Sequence, residues 1–309
     1  MTRKKLNIRL NSDKCFNMEN IWTLLALIAA LTGGTCDALT KKALQLHDEY
    51  TIAWLRQLVV VLFLSPCLFF IPIPALDGDF YKAFISALPF EVVAYIFYMK
   101  AIKISPLSLT VPFLSLTPVC LIIIPYIMLG ELVSFWGGIG ILMIALGSYT
   151  LNLKEMSKGF LEPIKAIGKE TGSVFMIIVA ILYGLTNTFG KHALNHSSAL
   201  FFGVTYNLAF FIVLSPVIFK VGKIYSQGRI CKESLKISVL PGFFAAITVI
   251  FYTIAMSLAN VAYTVAVCRL SLLVGVIYGH FLFKETGFRE RLVGTALMLI
   301  GFLIVVLEQ

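Results

Sequence analysis

Gly34-Thr35-Cys36-Asp37-Ala38-Leu39-Thr40-Lys41-Lys42-Ala43-Leu44 ends the first long apolar run of this 309-residue chain, and Gly184-Leu185-Thr186-Asn187-Thr188-Phe189-Gly190-Lys191-His192-Ala193-Leu194 ends another, 150 residues later. The same offset lays Leu64-Ser65-Pro66 on Leu214-Ser215-Pro216. From the third run onward the offset is 154: Ile96-Phe97-Tyr98 falls on Ile250-Phe251-Tyr252, Thr110-Val111 on Thr264-Val265, Glu131 on Glu285, Gly140 on Gly294 and Gly147 on Gly301. Apolar sequences match by chance more often than most. Glycines, prolines and polar residues repeating in order at a nearly constant offset nevertheless indicate a duplicated unit. The four-residue change belongs in the loop before the eighth run.

Composition says what surrounds that unit. With 59% hydrophobic and 13% charged residues and a mean hydropathy of +0.91, the chain carries more apolar surface than a soluble core of its length hides, so lipid is part of its solvent. A hydrocarbon layer of roughly 30 Å takes about 20 apolar residues per helix. Such runs lie at 21–41, 51–71, 80–102, 107–129, 132–152, 173–193, 200–220, 237–258, 262–283 and 288–307. The expected fold is an all-α membrane protein of ten transmembrane helices. It divides into a basic N-terminal tail at 1–20, a five-helix repeat at 21–153, a linker at 154–172 and a second five-helix repeat at 173–309. An odd number of spans starts the second copy on the opposite membrane face, so the repeats are inverted. Inverted repeats place a solute site near the midplane between them and alternate its access by rocking.

The net charge of +9 does not point to nucleic acid, because the lysines and arginines sit mainly in short loops, where they anchor helices and set orientation. The tail Arg3-Lys4-Lys5 followed by Ile21–Leu31 looks like a signal peptide, but the first span has an aligned partner at the sixth, which a removable segment would not need. Cysteines 15, 36, 67, 120, 231 and 268 are scattered without metal-ligand or redox spacing.

Pro112-Phe113-Leu114-Ser115-Leu116-Thr117-Pro118, then Leu129-Gly130-Glu131, then Gly137-Gly138, Gly140 and Gly147, resemble the EamA module of the drug/metabolite transporter superfamily. Both copies also share Gly34, Asp37, Lys41 and Gly184, Asn187, Lys191 at matching spacing, while Phe283-Lys284-Glu285 lacks the glycine of the first copy's turn. The resemblance covers nearly the whole chain after residue 20. It implies a ten-helix metabolite carrier, often an exporter, with a central cavity lined largely by spans 3, 4, 8 and 9.

A charge at mid-membrane costs about 2.5–3.5 kcal/mol on insertion scales, so each one needs a partner or a wet cavity. Glu91 lies near the middle of span 3, and Arg269 about a third of the way into span 9 from the same side. Glu91, Tyr95 and Tyr98 share one helical stripe. Two readings stand: an ion pair between Glu91 and Arg269 that braces two spans, or a carboxylate and a guanidinium that hold the two ends of a zwitterionic solute. Both charges occur in one copy only, since Glu91 faces Ala245 and Arg269 faces Ser115 at the 154 offset. Asymmetric charges in a symmetric frame suit an asymmetric ligand. The candidate substrate-binding residues are therefore Glu91, Tyr95, Tyr98, Arg269, Tyr252 and Asn187, with Glu91 the candidate carrier of a coupling proton.

Asp37, late in span 1, and Arg56, early in span 2, are expected as a structural or gating ion pair near the interface. Tyr206-Asn207 divides evenly between interhelical bonding and ligand contact. Glu131 and Glu285 fall where spans 5 and 10 begin, at the positive end of the helix dipole. Pro112, Pro118 and Pro125 predict a bent, hinge-like span 4, whereas span 9 has no proline.

No phosphate-binding Gly-x4-Gly-Lys-Ser/Thr run, metal-binding His pair or nucleophile elbow occurs, so no cofactor, metal or enzymatic activity is expected. The expected partners are a small organic solute, amino-acid-like or similar, and the lipid bilayer. Two rivals remain. One is a nucleotide sugar or lipid-linked sugar, whose phosphates would engage Lys41, Lys42, Lys191 and Arg269; the other is a membrane protein that binds without transporting. A multi-pass protein of a bacterial or archaeal plasma membrane is expected. Basic residues concentrate in the odd-numbered loops, which puts the termini outside; the Arg3 to Lys14 tail and the resemblance put them inside. A monomer and a homodimer both fit the sequence.

Overall fold

A computed structural model describes residues 21–105, 111–150, 171–222, 231–283 and 292–308. The basic tail, most of the linker and Glu285 lie outside the described residues. Among those described, the regular structure is entirely helical. In the first copy α1 spans Ile21–Leu46, α2 Glu49–Leu64 with a 3-10 turn to Phe69, α3 Gly78–Ile104, a 3-10 segment Val111–Ser115, α4 Leu116–Leu129 and α5 Phe135–Thr150. The second has α6 at Thr171–Asn195, α7 at Ala199–Gly222, α8 at Lys232–Leu258, α9 at Val261–Cys268, α10 at Ser271–Phe283 and α11 at Leu292–Leu307. Six of these helices are long and apolar enough to cross a membrane, three per copy, and each copy adds two shorter apolar stretches.

The ends of the helices follow from their sequences. Asp48 accepts from the Thr51 N–H at 3.0 Å to start α2, and Asp77 from the Phe80 N–H at 2.9 Å to start α3. These bonds satisfy donors that an α-helix leaves free. The Phe80 N–H, with help from His196, holds the Asp77 carboxyl below the usual carboxylate range. Gly130 closes α4 with φ of 70°, where a side chain would be strained.

The copies do not sit side by side. They interlock: α3 packs on α6 and α8 on α1, so the third helix of each half lies against the first helix of the other. Likewise α4 packs on α6 and α10 on α1. The final helices, α5 and α11, meet at glycines. A Cβ on Gly140 would lie 2.8 Å from the Gly301 carbonyl oxygen, and one on Gly147 2.7 Å from that of Gly294. Gly140 matches Gly294 and Gly147 matches Gly301 in the duplication. The contact is therefore reciprocal, and α5 and α11 run antiparallel. Gln57 and Asn207, equivalent at the 150 offset, bond to each other, Nε2 to Oδ1, at 3.0 Å. The axis relating the copies passes between them.

Of the two prolines expected to form a hinge in span 4, Pro112 falls in the 3-10 segment that interrupts the span, whereas Pro118 does not bend a helix. Pro118 is the third residue of α4, in the first turn, where a missing N–H costs no intrahelical bond; only Pro125 lies deeper inside the helix. Span 9, which has no proline, is broken as well. Between α9 and α10 the N–H groups of Leu270, Leu272 and Leu273 donate three residues back, to Val267, Arg269 and Leu270. The 3-10 segment Val111–Ser115 occupies the positions equivalent to Val265–Arg269. The break belongs to the repeated fold and does not depend on proline.

Candidate functional site

A cavity of about 350 Å³ lies between the copies. Its walls come from α1, α2 and α3 of one half, from α6, α7 and α8 of the other, and from the break between α9 and α10. Spans 1, 2, 6 and 7 thus supply much of the lining through Asp37, Arg56, Asn187 and Tyr206, whereas span 4 supplies Leu114. Spans 3, 8 and 9 line it as expected, but span 4 contributes little and spans 1, 2, 6 and 7 join them. The interlocking accounts for it, because first helices packed on the opposite third helices necessarily face the centre.

Glu91, Tyr95, Tyr98, Asn187, Tyr252 and Arg269 all border this cavity, as do Asp37 and Arg56. Their polar atoms are not equally available. The Tyr98 hydroxyl donates to Asp37 Oδ1. At the equivalent place in the second copy Tyr252 donates to Asn187 Oδ1. These matched Tyr–Asx pairs tie the third helix of each copy to its first. Tyr95 donates to the Ala53 carbonyl at 3.2 Å and accepts from Arg56 Nε at 3.0 Å.

Arg56, only 8% exposed, also donates from Nη1 to the Thr40 hydroxyl at 3.1 Å and reaches the Cys36 sulfur at 3.7 Å. Its guanidinium carbon lies 5.0 Å from the centroid of the Tyr95 ring, a cation–π distance. Asp37 and Arg56 therefore make no direct ion pair. Each is held by a tyrosine of α3.

Glu91 has the Thr186 hydroxyl beside it. No ion pair joins it to Arg269 among the described residues, so the two spans are not braced that way. Arg269 caps the end of α9 and points a buried Nε at no hydrogen-bond partner. Beside it Ser271 opens α10 and lines the cavity, so the positive end of a helix dipole adds to the guanidinium. All four charges occupy positions where the other copy is neutral. Asp37 matches Asn187, Arg56 matches Tyr206, Glu91 matches Ala245, and Arg269 matches Ser115.

The lysines aligned in the sequence have another role. Lys41 Nζ donates to the Ser105 carbonyl at 2.7 Å and to that of Ile102. Lys191 Nζ donates to the Met256 and Ala259 carbonyls at 2.6 and 2.9 Å. Each lysine thus closes the C-terminus of its own copy's third helix, where carbonyls lack intrahelical partners. Glu131 lies 3.8 Å from Lys191 and accepts from the Val261 N–H at 3.3 Å. Its carboxylate serves the start of α9 in the opposite copy, not the start of α5 as expected. Lys191 is 6% exposed, so Lys191→Met leaves two carbonyls unsatisfied at a cost of about 2 kcal/mol. A thermal melt in detergent should show a fall of roughly 4–8 °C, with solute affinity unchanged in the protein that remains folded.

The Gln57–Asn207 bond, the lysine caps and the Thr186 contact were not recognised from sequence. The alignment of Gln57 with Asn207 and of Lys41 with Lys191 was the available signal for the first two.

A family model described as the EamA-like transporter family matches residues 20–153 and, a second time, residues 170–307. A solved structure, described only as "Crystal structure of protein", superposes with a TM-score of 0.70 over 93% of this chain and 96% of its own length. At 14% identity that likeness is one of fold. No curated protein sequence matches the chain.

Proposed function

The chain belongs to the EamA-like transporter family, and from that premise we propose that it is a secondary carrier for a small carboxylate-bearing metabolite of amino-acid type, working by alternating access. Three long and two shorter apolar helices per copy support ten membrane crossings. The antiparallel meeting of α5 and α11 supports inverted copies that rock about the central cavity.

One observation carries the choice of solute: the half-buried Arg269 guanidinium, its Nε buried without a hydrogen-bond partner and no carboxylate in ion-pair contact with it, lines a cavity that also holds Glu91. A guanidinium drawn partly out of water, with one N–H fully buried and unbonded, favours an anionic partner. A planar carboxylate matches its donor fork, and an ammonium group suits Glu91. The volume, at the low end of the roughly 300–1,000 Å³ of ligand pockets, favours an amino-acid-sized solute. A nucleotide sugar fits less well, because Lys41 and Lys191 are committed to helix carbonyls. Export is the direction the resemblance implies.

Purified carrier should first be screened against amino acids and nucleotide sugars by thermal shift, and the stabilising solutes tested for counterflow in proteoliposomes. Saturable exchange of an amino acid is expected. Stabilisation without exchange would make the protein a receptor, and preferential exchange of nucleotide sugars would overturn the choice of solute. With a pH gradient imposed, Glu91→Gln should carry solute without responding to the gradient. A response equal to that of the unaltered protein contradicts a proton role for Glu91.

A further inference from the structure

Five side-chain polar atoms among the described residues are buried without a hydrogen-bond partner, and two of them belong to residues lining the cavity: Arg269 Nε and the hydroxyl of Tyr206. A buried hydroxyl left unsatisfied is costly, so native structures seldom leave one without a purpose. The hydroxyls of Tyr95, Tyr98 and Tyr252 around the same cavity are already bonded to protein. Tyr206 differs from them, and from Tyr183, in having a hydroxyl that is both buried and without a partner, and its ring cannot easily turn away. It stacks on Phe202 with centroids 5.2 Å apart and meets Phe84 edge-on at 5.3 Å. Glu91 lies within electrostatic reach of the phenol. In the first copy the equivalent position is Arg56, whose Nε and Nη1 donate to tyrosine, threonine and cysteine side chains. The duplication has produced one filled polar subsite and one open one.

We propose that Tyr206 is a specificity-determining residue, its phenol oxygen accepting a hydrogen bond from the amino group of the solute while Glu91 balances that group's charge. The inference rests on the carboxylate reading above. In that arrangement Arg269 holds one end of the solute, and Tyr206 distinguishes an amino acid from the same acid without its amine.

The test uses full-length carrier in proteoliposomes, with L-leucine and 4-methylpentanoate as paired probes that differ only in the amino group. Unaltered carrier should exchange leucine with a KM well below that for 4-methylpentanoate. Tyr206→Phe, which keeps the ring and its packing, should raise the leucine KM about tenfold and leave that of 4-methylpentanoate unchanged. Discrimination then collapses. An equal rise for both probes, or no change for either, assigns Tyr206 to packing and overturns the proposal while the carboxylate reading stands. If unaltered carrier exchanges 4-methylpentanoate as well as leucine, the amine is not read and the proposal also falls. If it exchanges neither, while counterflow of the other amino acids is absent too, the carboxylate reading fails first.

Discussion

Arg269→Gln should lower kcat/KM for the exchanged acid about 100-fold while the carrier remains as stable as before, or becomes more so. The transport effect follows from a charge-assisted hydrogen bond to a desolvated carboxylate, worth about 1.5–3 kcal/mol and hence roughly 10- to 150-fold. Glutamine keeps a donor but loses both charge and fork. Arg269→Lys, which keeps the charge alone, should fall between, near tenfold. The stability effect has a diagnostic sign. Arg269 is half-buried, makes no ion pair and has an orphaned Nε, so its removal relieves a partly desolvated cation that has no direct partner. A bracing arginine would give the reverse, a marked fall in melting temperature. Flux assays and thermal melts on the same preparations separate the two.

The second large effect concerns the scaffold. Gly301→Val should prevent recovery of folded protein or destabilise it by about 3 kcal/mol, the upper end of overpacking costs. A Cβ at Gly301 would lie 2.6 Å from the Gly140 carbonyl oxygen and 2.9 Å from the Ile144 nitrogen. Those are backbone atoms, and no rotamer change relieves them. Since Gly140 and Gly301 share one gap, Gly140→Ala and Gly301→Ala should be less than additive together, the first having already parted the helices. Strict additivity in chemical denaturation would mean that α5 and α11 do not meet at these residues.

Much of this architecture was legible because a duplication writes the same constraint twice. The glycines aligned at the 154 offset are the ones that let α5 and α11 touch. Lys41 and Lys191 were equally visible, but their chemistry was not, because a lysine at a helix end reads as a phosphate ligand until the carbonyls of Ile102 and Met256 are placed beside it. The prolines of span 4 suggested a hinge peculiar to one copy. The break at Arg269 has no local sequence signal of that kind. It falls at the equivalent place in both halves, beside Ser115 and Arg269.

The site followed the same division. Asymmetric charges in a symmetric frame marked Glu91 and Arg269, and both border the cavity. Which tyrosine keeps a buried, unpaired hydroxyl depends on distances between helices far apart in sequence, so Tyr206 could not be separated from Tyr95, Tyr98, Tyr183 or Tyr252 before their surroundings were known. The expected Asp37–Arg56 pair failed for the same reason: both residues approach the cavity, but α3 places a tyrosine at each of them.

The central claim is that Arg269 holds the carboxylate of a transported solute. Its most direct test is counterflow of an exchanged amino acid against its own methyl ester, which retains the amine and side chain but has no anionic group. The ester should neither exchange nor compete at concentrations that saturate the acid, and Arg269→Gln should lose most of its preference for the acid. An ester that competes as well as the acid would contradict the account.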